Sequence, residues 1–164
     1  MKRIRTLMFP RLQNADENST RDGIMLTINT EAQKMTKIGF VTTNKVLAQS
    51  LSAAVSVRHD LNFESFLLLN PDQMLLDAQV FGIDAAVLDI LSSPSKETSD
   101  IADLCRKIHQ SLPDCRILLL LSQDDDAGRT AAVNAVRENA ADDFVFYDTS
   151  LDYLFAKLSV FSIS

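Results

Sequence analysis

Asp89 closes a short apolar run, Ala85-Ala86-Val87-Leu88, and is the residue of this chain whose type and setting most suggest chemistry. A carboxylate at the carboxyl end of a buried parallel strand is where α/β sheets place reactive groups. Three other apolar runs end at Thr42-Thr43, at Ser122 and at Tyr147, so these residues are candidates to share a pocket with Asp89. Lys45 is the cation contributed by the first such turn and a candidate partner for Asp89, its alternative being an exposed helix lysine. Other chemistries find little support. The four glycines (Gly23, Gly39, Gly82, Gly128) form neither a dinucleotide fingerprint nor a P-loop. Cys105 and Cys115 fit no metal spacing, and His59 and His109 stand alone, so no metal centre is expected.

The elements that must position these residues alternate regularly from Lys37 onward. Ile38 to Val41 is a first strand, and Thr43 or Asn44 can cap a helix with apolar Val46, Leu47, Leu51, Ala54 and Val55. Phe63 to Leu69 is a second strand. Asn70-Pro71 then supplies a cap and a proline for a helix over Asp72 to Val80, stopped near Gly82. After Asp89 and a polar loop through Pro94, Ile101, Leu104, Cys105 and Ile108 mark a third helix, ended by Pro113. Ile117 to Leu121 is a continuous aliphatic run, the pattern of a central strand buried on both faces. Asp124 to Asp126 open a fourth helix that runs to about Asn139, and Phe144 to Tyr147 is a fifth strand. Thr149 or Ser150 caps the last helix. Its Leu151, Leu154, Leu158 and Phe161 are expected against the sheet, with Tyr153 and Phe155 pointing elsewhere.

Five strand–helix units imply an α/β fold: a doubly wound, five-stranded parallel sheet of flavodoxin-like order 2-1-3-4-5. Its ligand crevice would lie at the carboxyl ends of strands one and three. Residues 1–35 read as an N-terminal extension, flexible or with a docking segment or edge strand at Met25 to Ile28, and residues 36–164 as the folded domain. The formal charge is −6; residues 1–35 hold six basic against four acidic side chains, which leaves −8 for the rest. An acidic surface of this kind argues against nucleic-acid binding. No apolar stretch approaches the roughly 20 residues of a membrane span. With two cysteines outside any disulfide framework, a cytoplasmic setting is expected.

From Lys37 to about Phe161 the chain resembles the receiver domains of two-component response regulators. The stretch Ser122-Gln-Asp-Asp-Asp and the stretch Glu138-Asn-Ala-Ala-Asp-Asp-Phe-Val-Phe146 are similar to that family's fourth strand end and its "Gly-Ala-Asp-Asp-Tyr" entry to the fifth strand. The resemblance implies that Asp89 holds the phosphoacceptor position, Ser122 the hydroxyl that contacts the phosphoryl group, and Phe144 the aromatic that switches rotamer. It also implies a protein partner or a homodimer through the face formed by the fourth helix, fifth strand and fifth helix.

The departures fall on the chemistry. Thr42 and Thr43 stand where the family carries the acidic pair that holds Mg²⁺, and neutral hydroxyls are poor ligands for that ion. Tyr147 replaces the lysine that pairs with phosphoryl oxygens, and Asp148 the proline after it. Phosphoryl transfer depends on positioning and charge neutralisation, so Asp89 is not expected to be phosphorylated efficiently and no cofactor is expected. The reading is therefore a degenerate receiver, a non-enzymatic regulatory module that binds protein. Two other readings stay open: a true phosphorelay receiver phosphorylated on Asp89, and a small-ligand or flavin-binding module using the Thr42-Thr43-Asn44 turn.

Overall fold

The computed structural model describes residues 34–92 and 98–162. The expectations for residues 1–33 and for the loop through Pro94 lie outside this range. In chain order the elements are β1 (Thr36–Val41), α1 (Lys45–Ser56), β2 (Phe63–Leu68), α2 (Met74–Phe81), β3 (Ala85–Asp89), α3 (Thr98–Ser111), β4 (Arg116–Leu121), α4 (Asp126–Arg137), β5 (Asp143–Phe146) and α5 (Leu151–Phe161). A single 3-10 turn, Ile90–Ser92, follows β3. All strand pairs are parallel and the order is β2-β1-β3-β4-β5, the flavodoxin-like arrangement.

The strand alternation divides the core into two layers. On one face Ile117, Leu119 and Leu121 of β4 pack with Met74 and Ala78 of α2, Ile101, Cys105 and Ile108 of α3, and Ala131, Ala132 and Ala135 of α4. On the other, Leu118 and Leu120 pack with Leu51 and Val55 of α1 and with Leu154, Phe155 and Leu158 of α5. Side chains of one strand point alternately up and down, so β4 needs an aliphatic at every position because both of its faces are covered. The three small alanines let α4 sit close to the sheet.

Helix ends follow local chemistry. Asn44 Oδ1 accepts from Leu47 N at 3.0 Å, Asp125 Oδ1 from Gly128 N at 2.9 Å and Ser150 Oγ from Tyr153 N at 3.2 Å, each a side-chain cap. Gly82 ends α2 at φ 66°, the left-handed region that glycine enters without strain.

Several expectations are corrected. Asn70 does not cap α2: its Oδ1 accepts from Asp72 N at 3.0 Å, which makes a separate turn, and the helix starts later at Met74. Val46 belongs to the first turn of α1 but faces outward. In α5 the apolar face is rotated from the expected one. Phe155 is 2 % exposed and packs edge-on against Phe63, whereas Leu151 is 48 % exposed. Phe155, one helical turn beyond Leu151, is the side chain that meets Phe63 and the core.

Candidate functional site

The carboxyl ends of β1, β3 and β5 converge on Asp89. It sits in the last position of β3, where strand pairing continues to Leu120, and both Asp89 and Thr42 are only 4 % exposed. Thr42 follows β1 directly, and its Oγ1 donates to Asp89 Oδ2 at 2.6 Å. The same Oγ1 accepts from Asn44 N at 3.0 Å, so the hydroxyl is used in both directions. From the far side the Tyr147 hydroxyl donates to Asp89 Oδ1. The Leu91 amide donates to that oxygen as well, at 3.1 Å.

Tyr147 reaches Asp89 by crossing the end of β4. Its backbone N donates to Leu121 O at 2.9 Å, which anchors the start of the β5–α5 loop. The ring packs beside the α1–α5 layer of the core. Burial and the hydrogen bond to the Asp89 carboxylate both push the phenol well above its ordinary range, so it stays a proton donor.

The remaining candidates take different places. Thr43 is exposed at the rim. Lys45 is also exposed, and no ion pair among the described residues joins it to Asp89, so of the two alternatives it takes that of an exposed helix lysine. As the first residue of α1, Lys45 is held by the helix on its outer side. Ser122 is half-buried, and its Oγ accepts from Asp124 N at 3.3 Å, in the turn that leads to α4. It lines a shallow cavity of about 340 Å³ with Ile90, Leu91, Ile101 and Asp125. Phe144 is half-buried against the α2–α3–α4 layer, with its ring edge-on to Phe146 at 5.8 Å.

Among the described residues no three His, Cys, Asp or Glu side chains are disposed to hold a metal ion. Of the two threonines in the acidic-pair positions, Thr42 already has its hydroxyl engaged as donor and acceptor. A hard divalent cation wants several charged or carbonyl oxygens turned toward one point; among the described residues, Asp89 is met by two hydroxyls and an amide.

Sequence reasoning placed Thr42 and Tyr147 at the pocket but missed that they bond Asp89 directly. It also missed the Leu91 amide and the Gln123 amide, which donates to Asp148 at the same rim. The available signal was chemical: hydroxyl residues at the ends of β1, beside β3, and of β5, two strands away, are natural donors to a carboxylate buried at the end of β3.

No protein-family model matches the chain, and no curated protein matches it in sequence. Solved structures do match. A putative response regulator from Chloroflexus aurantiacus is 18 % identical, with a TM-score of 0.64 over 80 % of this chain and 100 % of that one. A response regulator from Thermotoga maritima is 18 % identical, with a TM-score of 0.62 over 79 % and 99 %. A Burkholderia pseudomallei response regulator, solved with a phosphorylated aspartic acid, is 21 % identical with a TM-score of 0.58 over 74 % of this chain. The present chain spans 65 % of that protein's length. At such identities the likeness is one of fold, and the fold is that of a response-regulator receiver domain. No helix among the described residues is long and apolar enough to cross a membrane.

Proposed function

We propose that this chain is a receiver-fold regulatory module that works by binding a protein partner and in which Asp89 is not efficiently phosphorylated. The observation that carries the reading is the bonding of Asp89: each carboxylate oxygen accepts a side-chain hydroxyl, from Thr42 on one side and Tyr147 on the other. An attacking carboxylate oxygen must be free to meet phosphorus. Removing hydrogen bonds to a buried charged group costs about 1.5–3 kcal/mol each. The charges that would compensate an incoming phosphoryl group are replaced by neutral Thr42, Thr43 and Tyr147.

The partner face in this reading is α4–β5–α5. Tyr153 is exposed there, with Lys157 Nζ 5.5 Å from its ring centre, and Val133 of α4 is partly exposed. Lys157 also pairs with Asp143 of β5, which ties α5 to the strand. A cytoplasmic setting is part of the proposal, in keeping with two free, buried cysteines.

Beryllofluoride titration in millimolar Mg²⁺, followed by amide NMR, tests the pocket. The expected result is no shift at Asp89, Leu91 or Ser122. Saturable shifts at those amides would overturn the reading and restore a phosphorelay function.

A further inference from the structure

The two edges of the sheet are built differently. β5, at one edge, is four residues long and begins with Asp143, whose carboxylate pairs with Lys157. Short, charged strands are a common way to keep an edge from pairing with another chain. β2, at the other edge, is six residues long, as long as β1 and β4, and reads Phe-Glu-Ser-Phe-Leu-Leu. It has no proline, a single charge and an unbroken register with β1. Among the described residues no strand pairs with its outer side.

The bonds to β1 fix which main-chain groups face outward. Thr36 N donates to Asn62 O at 2.7 Å, and Thr42 N to Leu68 O at 3.3 Å. With a period of two, Glu64 and Phe66 also turn their main-chain groups toward β1, and Phe63, Ser65 and Leu67 turn theirs to the open edge. The side chains alternate as well. Ser65 Oγ lies 2.8 Å from Ser52 Oγ of α1, and on the opposite side the Phe66 ring stacks on Phe81 of α2 at 4.8 Å. Lys37 reaches over that α2 side: its Nζ donates to Phe81 O at 2.9 Å and lies 5.9 Å from the Phe66 ring centre. Glu64, the register partner of Lys37, is exposed and joins no ion pair among the described residues. The other charges near the edge are Asp77 in the first turn of α2, Lys45 in the first turn of α1, and Arg58 and Asp60, which pair with each other before β2.

We propose that β2 pairs antiparallel with β2 of a second copy of this chain, about a two-fold axis between the two Ser65 residues, joining the sheets edge to edge. A row of outward N–H and C=O groups calls for extended main chain as its partner. In this register Phe63 meets Leu67 of the second copy, Ser65 meets Ser65, and Leu67 meets Phe63. All are hydrogen-bonded pairs, so every outward group of both strands is used. A two-fold contact needs a patch that complements itself, and the outward residues of β2 are symmetric about Ser65. Charge then selects the occupant. Glu64 falls opposite Phe66 of the second copy, in the closer, non-hydrogen-bonded kind of pair, and so beside the Lys37 ammonium that covers that ring. Symmetry makes this match twice and sets neither Glu64 against its own counterpart. An unrelated strand would satisfy the main chain but not this placement of charge. Asp77 and Lys45 lie toward the carboxyl rim, so an antiparallel copy carries its own pair to the opposite end. Two chains of charge −6 repel at long range, which places the expected dissociation constant in the micromolar range or weaker.

Sedimentation equilibrium of the full chain, from about 1 µM to about 1 mM, reads the outcome. Wild type is expected to pass from monomer to dimer within that range. Ser65→Pro removes an outward N–H and no bond to β1, and its ring obstructs a second strand. It is expected to raise the dissociation constant at least about tenfold while keeping the wild-type circular dichroism. Glu64→Lys sets two ammonium groups together across the interface, and Lys37→Glu two carboxylates; each is expected to weaken association about tenfold. Both changes in one chain should restore it to within about threefold of wild type. Val133→Glu on α4 should leave association unchanged. A chain that stays monomeric throughout overturns the proposal. Association that survives a folded Ser65→Pro, or that Val133→Glu abolishes, overturns it in favour of another face. A charge-swapped double variant no tighter than the single ones overturns it too, and that comparison decides alone if Ser65→Pro does not fold. None of these outcomes depends on whether Asp89 accepts phosphate.

Discussion

The two rims of the sheet use aspartate in nearly the same way. At the amino-terminal rim, Asp84 precedes β3 and accepts from Lys37 N of β1 at 2.9 Å. Asp142 precedes β5 and accepts from Ile117 N of β4 at 2.7 Å, with Arg116 paired to its other oxygen at 2.8 Å. At the carboxyl-terminal rim, Asp89 is held by Thr42 after β1 and Tyr147 after β5. The first rim is plainly structural: each carboxylate fastens a neighbouring strand. The second has the position of a reactive centre but the bonding of a fastener. Position in the fold thus does not by itself set a carboxylate's chemistry; the donors around it bear on it as well.

The largest effect should come from giving the carboxyl rim back its charges. The combined substitution Thr42→Asp, Thr43→Asp and Tyr147→Lys removes both hydroxyl donors and restores the acidic pair and the cation. Each preorganised charge group is typically worth about 10²–10³ in rate. The triple variant should therefore gain Mg²⁺-dependent beryllofluoride binding and accept phosphate from a small phosphodonor at least about 100-fold faster than wild type. Equal rates would mean that something other than these donors decides the behaviour of Asp89, and the contrast between the rims would lose its meaning.

Alkali should loosen both rims. Burial pushes the thiols of Cys105 in α3 and of Cys115, one residue before β4, up to about 12. The unfolded thiols lose their protons near about 8.5–9, while the folded ones keep them. The folded state then binds more protons than the unfolded state, so stability is fully present below about pH 9 and falls as pH rises. The slope is up to about 1.4 kcal/mol per pH unit for each thiol. Tyr147, held protonated by burial and by Asp89, adds the same sign above its ordinary range near pH 10. Urea denaturation between about pH 7 and pH 11 should show this decline, and Tyr147→Phe should flatten only its upper part. A profile level across that range would contradict it.

Much of this architecture was legible in the chain, because it follows from local rules. Ile117 to Leu121 demanded a central strand, Gly82 a helix end, and the order of five units a parallel sheet. What escaped was phase and reach. In α5 the apolar residues Leu151, Leu154, Phe155, Leu158 and Phe161 allow two faces, and only the tertiary contact with Phe63 chooses Phe155 over Leu151. Asn70-Pro71 satisfied the rule for a helix start, yet the Asn70 side chain closed its own turn first. Asp89, Thr42, Ser122 and Tyr147 all lie where strands end at the carboxyl rim. That Tyr147 spans the end of β4 while Lys45 stays in solvent depends on side-chain length and direction, which spacing along the chain does not encode.

Deleting one carboxylate at each rim compares the two directly. Asp89→Ala leaves the Thr42 and Tyr147 hydroxyls and the Leu91 amide without that acceptor in a buried setting, a loss of about 3 kcal/mol. Asp142→Ala strands the Ile117 amide and unpairs the half-exposed Arg116, at about 2 kcal/mol. Both should lower the urea midpoint with an unchanged slope. A reactive carboxylate kept under electrostatic strain would behave in the opposite way, since its removal usually stabilises the fold. An increase in stability for Asp89→Ala, beside a loss for Asp142→Ala, would separate the rims again.

The smallest effect is the sharpest test of whether Asp89 is the hub of one network. Thr42→Val removes the donor to Oδ2 and the acceptor for Asn44 N; Tyr147→Phe removes the donor to Oδ1. Each alone should cost about 1–2 kcal/mol. The two side chains share a single carboxylate, so losing one donor changes the charge available to the other, and their effects should differ from additivity by about 0.5–1 kcal/mol. Thr42→Val combined with Asp142→Ala removes no partner common to both among the described residues and should add within about 0.5 kcal/mol. Coupling across the Asp89 pair, and none between the rims, is what two independent fasteners require. If the Asp89 pair also proves additive, the carboxylate is held by the Leu91 amide and its surroundings, and the two hydroxyls merely fill the space around it.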